Sequence, residues 1–178
     1  MEEFQDPRLI KDTIKQIEET EITFIDATGQ TIKTTLDKTL NKDQLREFIN
    51  LKLSVIDKEL ENKSKTWEEA KQAIQDSLDF GKIDSSTAVE ETNKVNTELR
   101  TIKLASSEEK LKLIEKEFGT ESKEYKDQFK LLKDLQVQYR KDVLKEQEDL
   151  LQARYDKQLK AFNKEKALAE KATIKGST

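Results

Sequence analysis

Two short stretches decide the fold: DFGKIDS at 79–85 and EFGTESK at 117–123. Each runs acid, Phe, Gly and then, three residues after the Gly, Asp84 or Ser122. Glycine has no Cβ and enters the left-handed backbone region freely, so it commonly follows the last turn of a helix. Asp and Ser accept hydrogen bonds from the free N–H groups of a first helical turn. Gly81 and Gly119 are therefore expected to end helices, and Asp84 and Ser122 to start the next ones. Ile83, just ahead of Asp84, is placed to pack on Ala88 as a hydrophobic staple. The motif recurs because the chain reverses direction twice.

Outward from these turns, the apolar spacing is helical. Segment 42–80 carries Leu45, Ile49, Leu53, Ile56, Leu60, Trp67, Ala70, Ile74 and Leu78, behind a capping box of Asn41 and Gln44. The polar insert ENKSKT at 61–66 admits a break, but the seven-residue step from Leu60 to Trp67 keeps the stripe and favours continuity. Segment 85–118 carries Val95, Leu99, Ile102, Leu113 and Phe118, with a possible restart at Ser106 and Glu109. Segment 123–172 carries Tyr125, Phe129, Leu132, Leu135, Tyr139, Val143, Leu150, Tyr155, Leu159 and Phe162. The run from Tyr125 to Tyr139 reads as core. Glu59/Lys63, Glu108/Lys112 and Asp156/Lys160 are spaced for support along exposed faces.

The first forty residues differ. Asp6-Pro7 is a helix start, followed by Leu9 or Ile10, Ile14 and Ile17. EITFIDATGQTIKTTL at 21–36 is rich in β-branched residues and reads as a hairpin turning at Thr28-Gly29, with Ile22 and Phe24 alternating on one strand and Ile32, Thr34 and Leu36 on the other. A lone hairpin is barely stable in water and must dock on something.

The expected fold is therefore mostly α. An elongated antiparallel bundle or coiled coil of three long helices spans 41–172, a short helix and β-hairpin fill 1–40, and a polar tail occupies 173–178. At 1.5 Å per residue the three helices reach roughly 58, 51 and 75 Å, which leaves about residues 157–172 of the last one unmatched. Tyr155, Leu159, Phe162 and Leu168 would then have little in their own chain to cover them. An uncovered apolar stripe marks a partner interface.

Composition fits this picture and narrows the chemistry. The 178 residues are 39% charged and 34% hydrophobic, with a net charge of −4. Such a balance suits helices with one apolar stripe and broad solvated faces. There is no cysteine and no histidine, which removes disulfides, thiolate metal sites, the commonest general base and the usual nucleophilic dyads. The glycines are dispersed, so no phosphate-binding loop forms, and no cofactor is expected. Asp26-Ala27-Thr28-Gly29 is a turn rather than a catalytic Asp-Thr-Gly. Glu146, Glu148 and Asp149 point around a helix rather than at one metal ion. No run resembles a signal peptide or a membrane span, and MEEFQD is acidic where a leader would be basic, so a soluble chain is expected. Segment 119–178 holds 14 basic and 11 acidic residues, with Lys123, Lys126, Lys130, Lys133 and Arg140 near one face. Acidic residues interrupt that run and no exposed aromatics interleave it, which speaks against nucleic acid.

The stretches DFGKIDSSTAVEETNKVNTELRTIK and FGTESKEYKDQFKLLKDL, within roughly 42–172, resemble the helical spans of bacteriophage tail tape-measure proteins. The resemblance implies a non-enzymatic spacer or scaffold in a phage tail or other virion assembly, with protein partners or copies of itself, found in the virion or host cytoplasm. It carries over no catalytic residue. A prefoldin-like assembly chaperone or holdase is the alternative, and a nucleic-acid or membrane-surface binding module a further one.

Overall fold

A computed structural model describes residues 6–176. Residues 1–5, which hold most of the acidic MEEFQD stretch, and 177–178 of the expected tail lie outside the described residues. The molecule is 84% helical. Helix α1 (Pro7–Glu19) leads into strands β1 (Glu21–Ile25) and β2 (Thr31–Thr35) and a short 3-10 turn at Leu36–Thr39. Three long helices follow: α2 (Lys42–Asp79), α3 (Ser85–Phe118) and α4 (Lys123–Gly176). Helices α2 and α3 pack antiparallel, as do α3 and α4.

Both reversals form as the sequence predicts. Gly81 and Gly119 have φ of 69° and 83°. After α2, the N–H of Lys82 donates to Ser77 O and that of Gly81 to Leu78 O, the paired closure of a Schellman motif. After α3, the single bond from Gly119 N–H to Glu115 O closes the helix. Asp84 Oδ1 accepts from Thr87 N at 2.8 Å, and Ser122 Oγ from Tyr125 N at 3.1 Å. Asn41 and Gln44 exchange reciprocal bonds of 2.9 and 3.1 Å at the start of α2. Asp6 caps α1 through Arg8 N.

Several expectations need correcting. Neither the ENKSKT stretch nor Ser106 interrupts a helix; α2 and α3 are continuous and Ser106 is buried. The last helix does not stop at 172 but runs through Gly176, so 173–176 are helix rather than tail. Phe129 is 41% exposed rather than core; its ring stacks on Tyr125 and carries Lys133 Nζ at 5.2 Å. Glu59 pairs with Lys11 rather than Lys63, and Asp156 accepts from Gln152 at 2.9 Å.

The chain divides into two compact units through which α2, α3 and α4 all pass. One holds residues up to 65 together with 102–133. Its interior is Ile10, Phe48, Ile49, Val55, Ile56, Ser106, Ile114 and Leu132, with Ile49 fully buried. The hairpin belongs here. Ile22 faces Thr34 and Phe24 faces Ile32 across an antiparallel register, and the turn is tied by Asp26 Oδ1, which accepts from the N–H groups of Thr28 and Gln30. The ladder continues one pair past the strands through a 2.9 Å bond from Leu36 N–H to Thr20 O, directly after the end of α1. Lys52–Glu18, Lys110–Asp57 and Arg46–Glu124 link helices within the same unit.

The other unit holds 66–101 and the chain from 134 onward. Ala88, Val95 and Leu99 of α3 are its buried apolar residues, and α4 supplies the facing row.

Candidate functional site: two faces of the last helix

One face of α4 is occupied. Glu146 is the centre of its polar contacts: Arg100 donates to it through both terminal nitrogens at 2.6 and 2.8 Å, and Asn96 Nδ2 reaches Oε1 at 3.0 Å. Asn93 Nδ2 donates to the backbone carbonyl of the same residue. A planar guanidinium matches a carboxylate in this two-point geometry. The contact with Glu146 holds the Arg100 pKa above its ordinary value, against the opposing effect of burial. Tyr139, one helical row earlier, has its hydroxyl buried without a hydrogen-bond partner, and that burial pushes the phenol pKa up. Toward the start of α3, Arg154 approaches Glu90 at 3.8 Å and Lys157 meets Asp84 at 2.9 Å. The lysine, together with the cap bonds from Thr87 and Ser86, drives the Asp84 carboxyl well below the usual range. Position 157 thus lies opposite the start of α3, where length matching put it.

From Arg154 to Gly176 every residue of α4 is exposed. Tyr155, Leu159, Phe162 and Leu168 are 59, 44, 63 and 58% exposed. Leu159 sits beside an open groove of about 570 Å³ that also involves Asp84, Ser86, Asp156 and Asn163. The four residues are uncovered, but they do not form one stripe. At 3.6 residues per turn, Leu168 lies eighteen residues, or five whole turns, beyond half-buried Leu150, and so continues the side that meets α3. Tyr155 and Phe162 lie on the opposite side.

That opposite side reaches back well before residue 157. Val137, Leu144 and Leu151 share it and are 47, 62 and 66% exposed. Their exposure owes nothing to the length of α3, since it occurs alongside the segment that α3 covers. The signal was present in the sequence as seven-residue steps from 137 to 144 to 151, then 155 to 162. Helix length alone does not reveal it, because the face concerned runs beside α3 as well as beyond it.

Other candidates are dispersed. Glu146 is engaged by Arg100, while Glu148 and Asp149 are exposed. Among the described residues no three His, Cys, Asp or Glu side chains converge as a metal site, and no helix is long and apolar enough to cross a membrane. Gly29, like the other two turn glycines, has a positive φ, of 83°. The basic residues Lys123, Lys126, Lys130, Lys133 and Arg140 are all exposed, and Lys126 pairs with Glu121.

No protein family, curated protein or solved structure matches the chain.

Proposed function

We propose that the chain is a non-enzymatic structural protein that acts by holding another protein chain along α4. The observation that carries this reading is the row of large apolar side chains from Val137 to Phe162, each 47–66% exposed on one side of a single helix. Regular apolar spacing on a helix stabilises nothing unless another surface covers it. The chain has neither histidine nor cysteine to build the commonest catalytic groups, which favours a binding role over a chemical one. The more specific form of the proposal, a helical scaffold in a phage tail or another virion assembly, rests on the sequence resemblance alone. A holdase of the prefoldin kind is disfavoured by an α1 of 13 residues, too short for a long paired arm.

The test compares thermal unfolding of two variants at low protein concentration, where association contributes little. Leu159→Asp with Phe162→Asp should stay within about 0.5 kcal/mol of the parent, as surface changes do. Leu132→Ala, at a buried position, should lose about 2–5 kcal/mol. A double variant that loses as much as Leu132→Ala would make this face interior, and the proposal would fall.

A further inference from the structure

The exposed face of α4 has a pattern that selects its partner. From Val137 to Ala169 its residues follow alternating steps of four and three: Val137, Lys141, Leu144, Glu148, Leu151, Tyr155, Gln158, Phe162, Glu165, Ala169. Every one of them is exposed. This is the seam spacing of a two-stranded coiled coil. Its chemistry reads the same from both ends. Apolar and polar residues alternate inward from Val137 to Leu151 and inward from Ala169 to Tyr155, and the charged residues nearest the two ends, Lys141 and Glu165, have opposite sign. In heptad terms, the apolar residues occupy d positions in the first half and a positions in the second.

Resting on the reading that this face binds protein, we infer that the partner is a second copy of the same chain. The two α4 helices run antiparallel about a two-fold axis near Ala153. In an antiparallel pair the a residue of one helix meets the d residue of the other. Residues whose numbers sum to 306 then share a layer. Tyr155 meets Leu151 of the second copy, Phe162 meets Leu144, and Ala169 meets Val137. The polar layers place Glu148 against Gln158 and Lys141 against Glu165. Apolar residues meet only apolar ones, and no layer joins like charges.

Other pairings of the same face lack this agreement. A parallel pair stacks Lys141 on Lys141, Glu148 on Glu148 and Glu165 on Glu165. Sliding the antiparallel register by one heptad sets Asp134 against Glu165 in one direction and Glu148 against Glu165 in the other. Like charges at facing positions disfavour the wrong register as much as matched ones favour the right one. Arg154 approaches its own copy beside the axis, but its guanidinium is turned toward Glu90 of the same chain at 3.8 Å. The side of α4 that meets α3 carries Glu146, Leu150 and Lys157 and stays free of the seam, so both contacts form together.

Because the chain contains no cysteine, single introduced thiols report the register cleanly. Full-length Leu144→Cys and Phe162→Cys are mixed and mildly oxidised, alone and together. The inference expects the mixed 144–162 disulfide to dominate, because the two copies of position 144 lie about 27 Å apart along the axis. In sedimentation velocity the parent should dimerise. Lys141→Glu should weaken that dimer about tenfold, and Lys141→Glu with Glu165→Lys should restore it. Homodisulfides at 144 and at 162 forming as fast as the mixed one would overturn the inference in favour of a parallel pair. So would charge reversal without effect. A parent that stays monomeric at the highest concentration reached would also overturn it. If the Leu159→Asp, Phe162→Asp variant still melts like the parent, the protein-binding face itself would stand, with a different occupant.

Discussion

Gly119 and Gly176 are chemically the same residue under opposite demands. Gly119 holds φ at 83° in the turn after α3, whereas Gly176 lies within the span of α4. A Cβ would meet nothing within 4 Å at either, so any cost of adding one comes from backbone conformation rather than space. Gly119→Ala should lose about 1 kcal/mol of stability in denaturant melts, from left-handed strain, while Gly176→Ala should lose nothing, since alanine favours helix. Equal behaviour would remove the turn's dependence on glycine. Asp84 gives a pH signature at the same scale. Its carboxyl is depressed in the folded chain, chiefly by Lys157, so its contribution is present above the ordinary carboxylate pKa and is lost as pH falls below it. Asn at position 84 still caps α3 but cannot pair with Lys157. The difference in melting temperature between the parent and Asp84→Asn should therefore shrink from pH 6 toward pH 2; a constant difference would show that the Lys157 pair contributes nothing.

Between elements, the α3–α4 contact combines a sparse apolar row with one polar cluster. Arg100 and Glu146 are only 13 and 17% exposed at the side chain, and a guanidinium left there without its acceptor keeps its desolvation cost. Glu146→Ala should cost roughly 1–3 kcal/mol, and a double-mutant cycle with Arg100→Ala should show strong coupling. Additive losses would mean that the two groups do not act together. The elements themselves were legible because their signals are local. The Gly81 and Gly119 turns, the Asp84 and Ser122 caps and the Asn41–Gln44 box each depend on residues within five positions of one another, and each formed at the expected place. What was not legible was which face each helix buries. Ile49 and Ile56 are expected inside, but their neighbours Phe48 and Val55 are buried with them, because the first part of α2 meets α1, α3 and α4 within one unit. Phe129 failed for the converse reason: its spacing fits the core row, yet Lys133 and Tyr125 cover it only in part. On α4, Leu168 and Phe162 looked like one stripe, whereas a six-residue step turns a helix well past its starting side.

Across the whole molecule, nothing among the described residues buries the stretch of α4 from 158 to 173, where every residue is exposed. Helices in proteins gain most of their stability from packing, and a single helical segment of this length is marginal in water. The apolar side chains on 158–168 therefore cannot protect their own backbone unless another chain supplies the missing surface. The direct measurement is amide hydrogen exchange resolved along the sequence, made at a concentration where sedimentation shows a monomer and again where the chain is associated. Fast exchange is expected across 158–173 in the monomer beside slow exchange around Ile49, Val95, Leu99 and Leu132, with protection rising over 137–169 on association. Protection of 158–173 equal to that of the buried residues in the monomer would contradict this, because the cover would then be the chain's own.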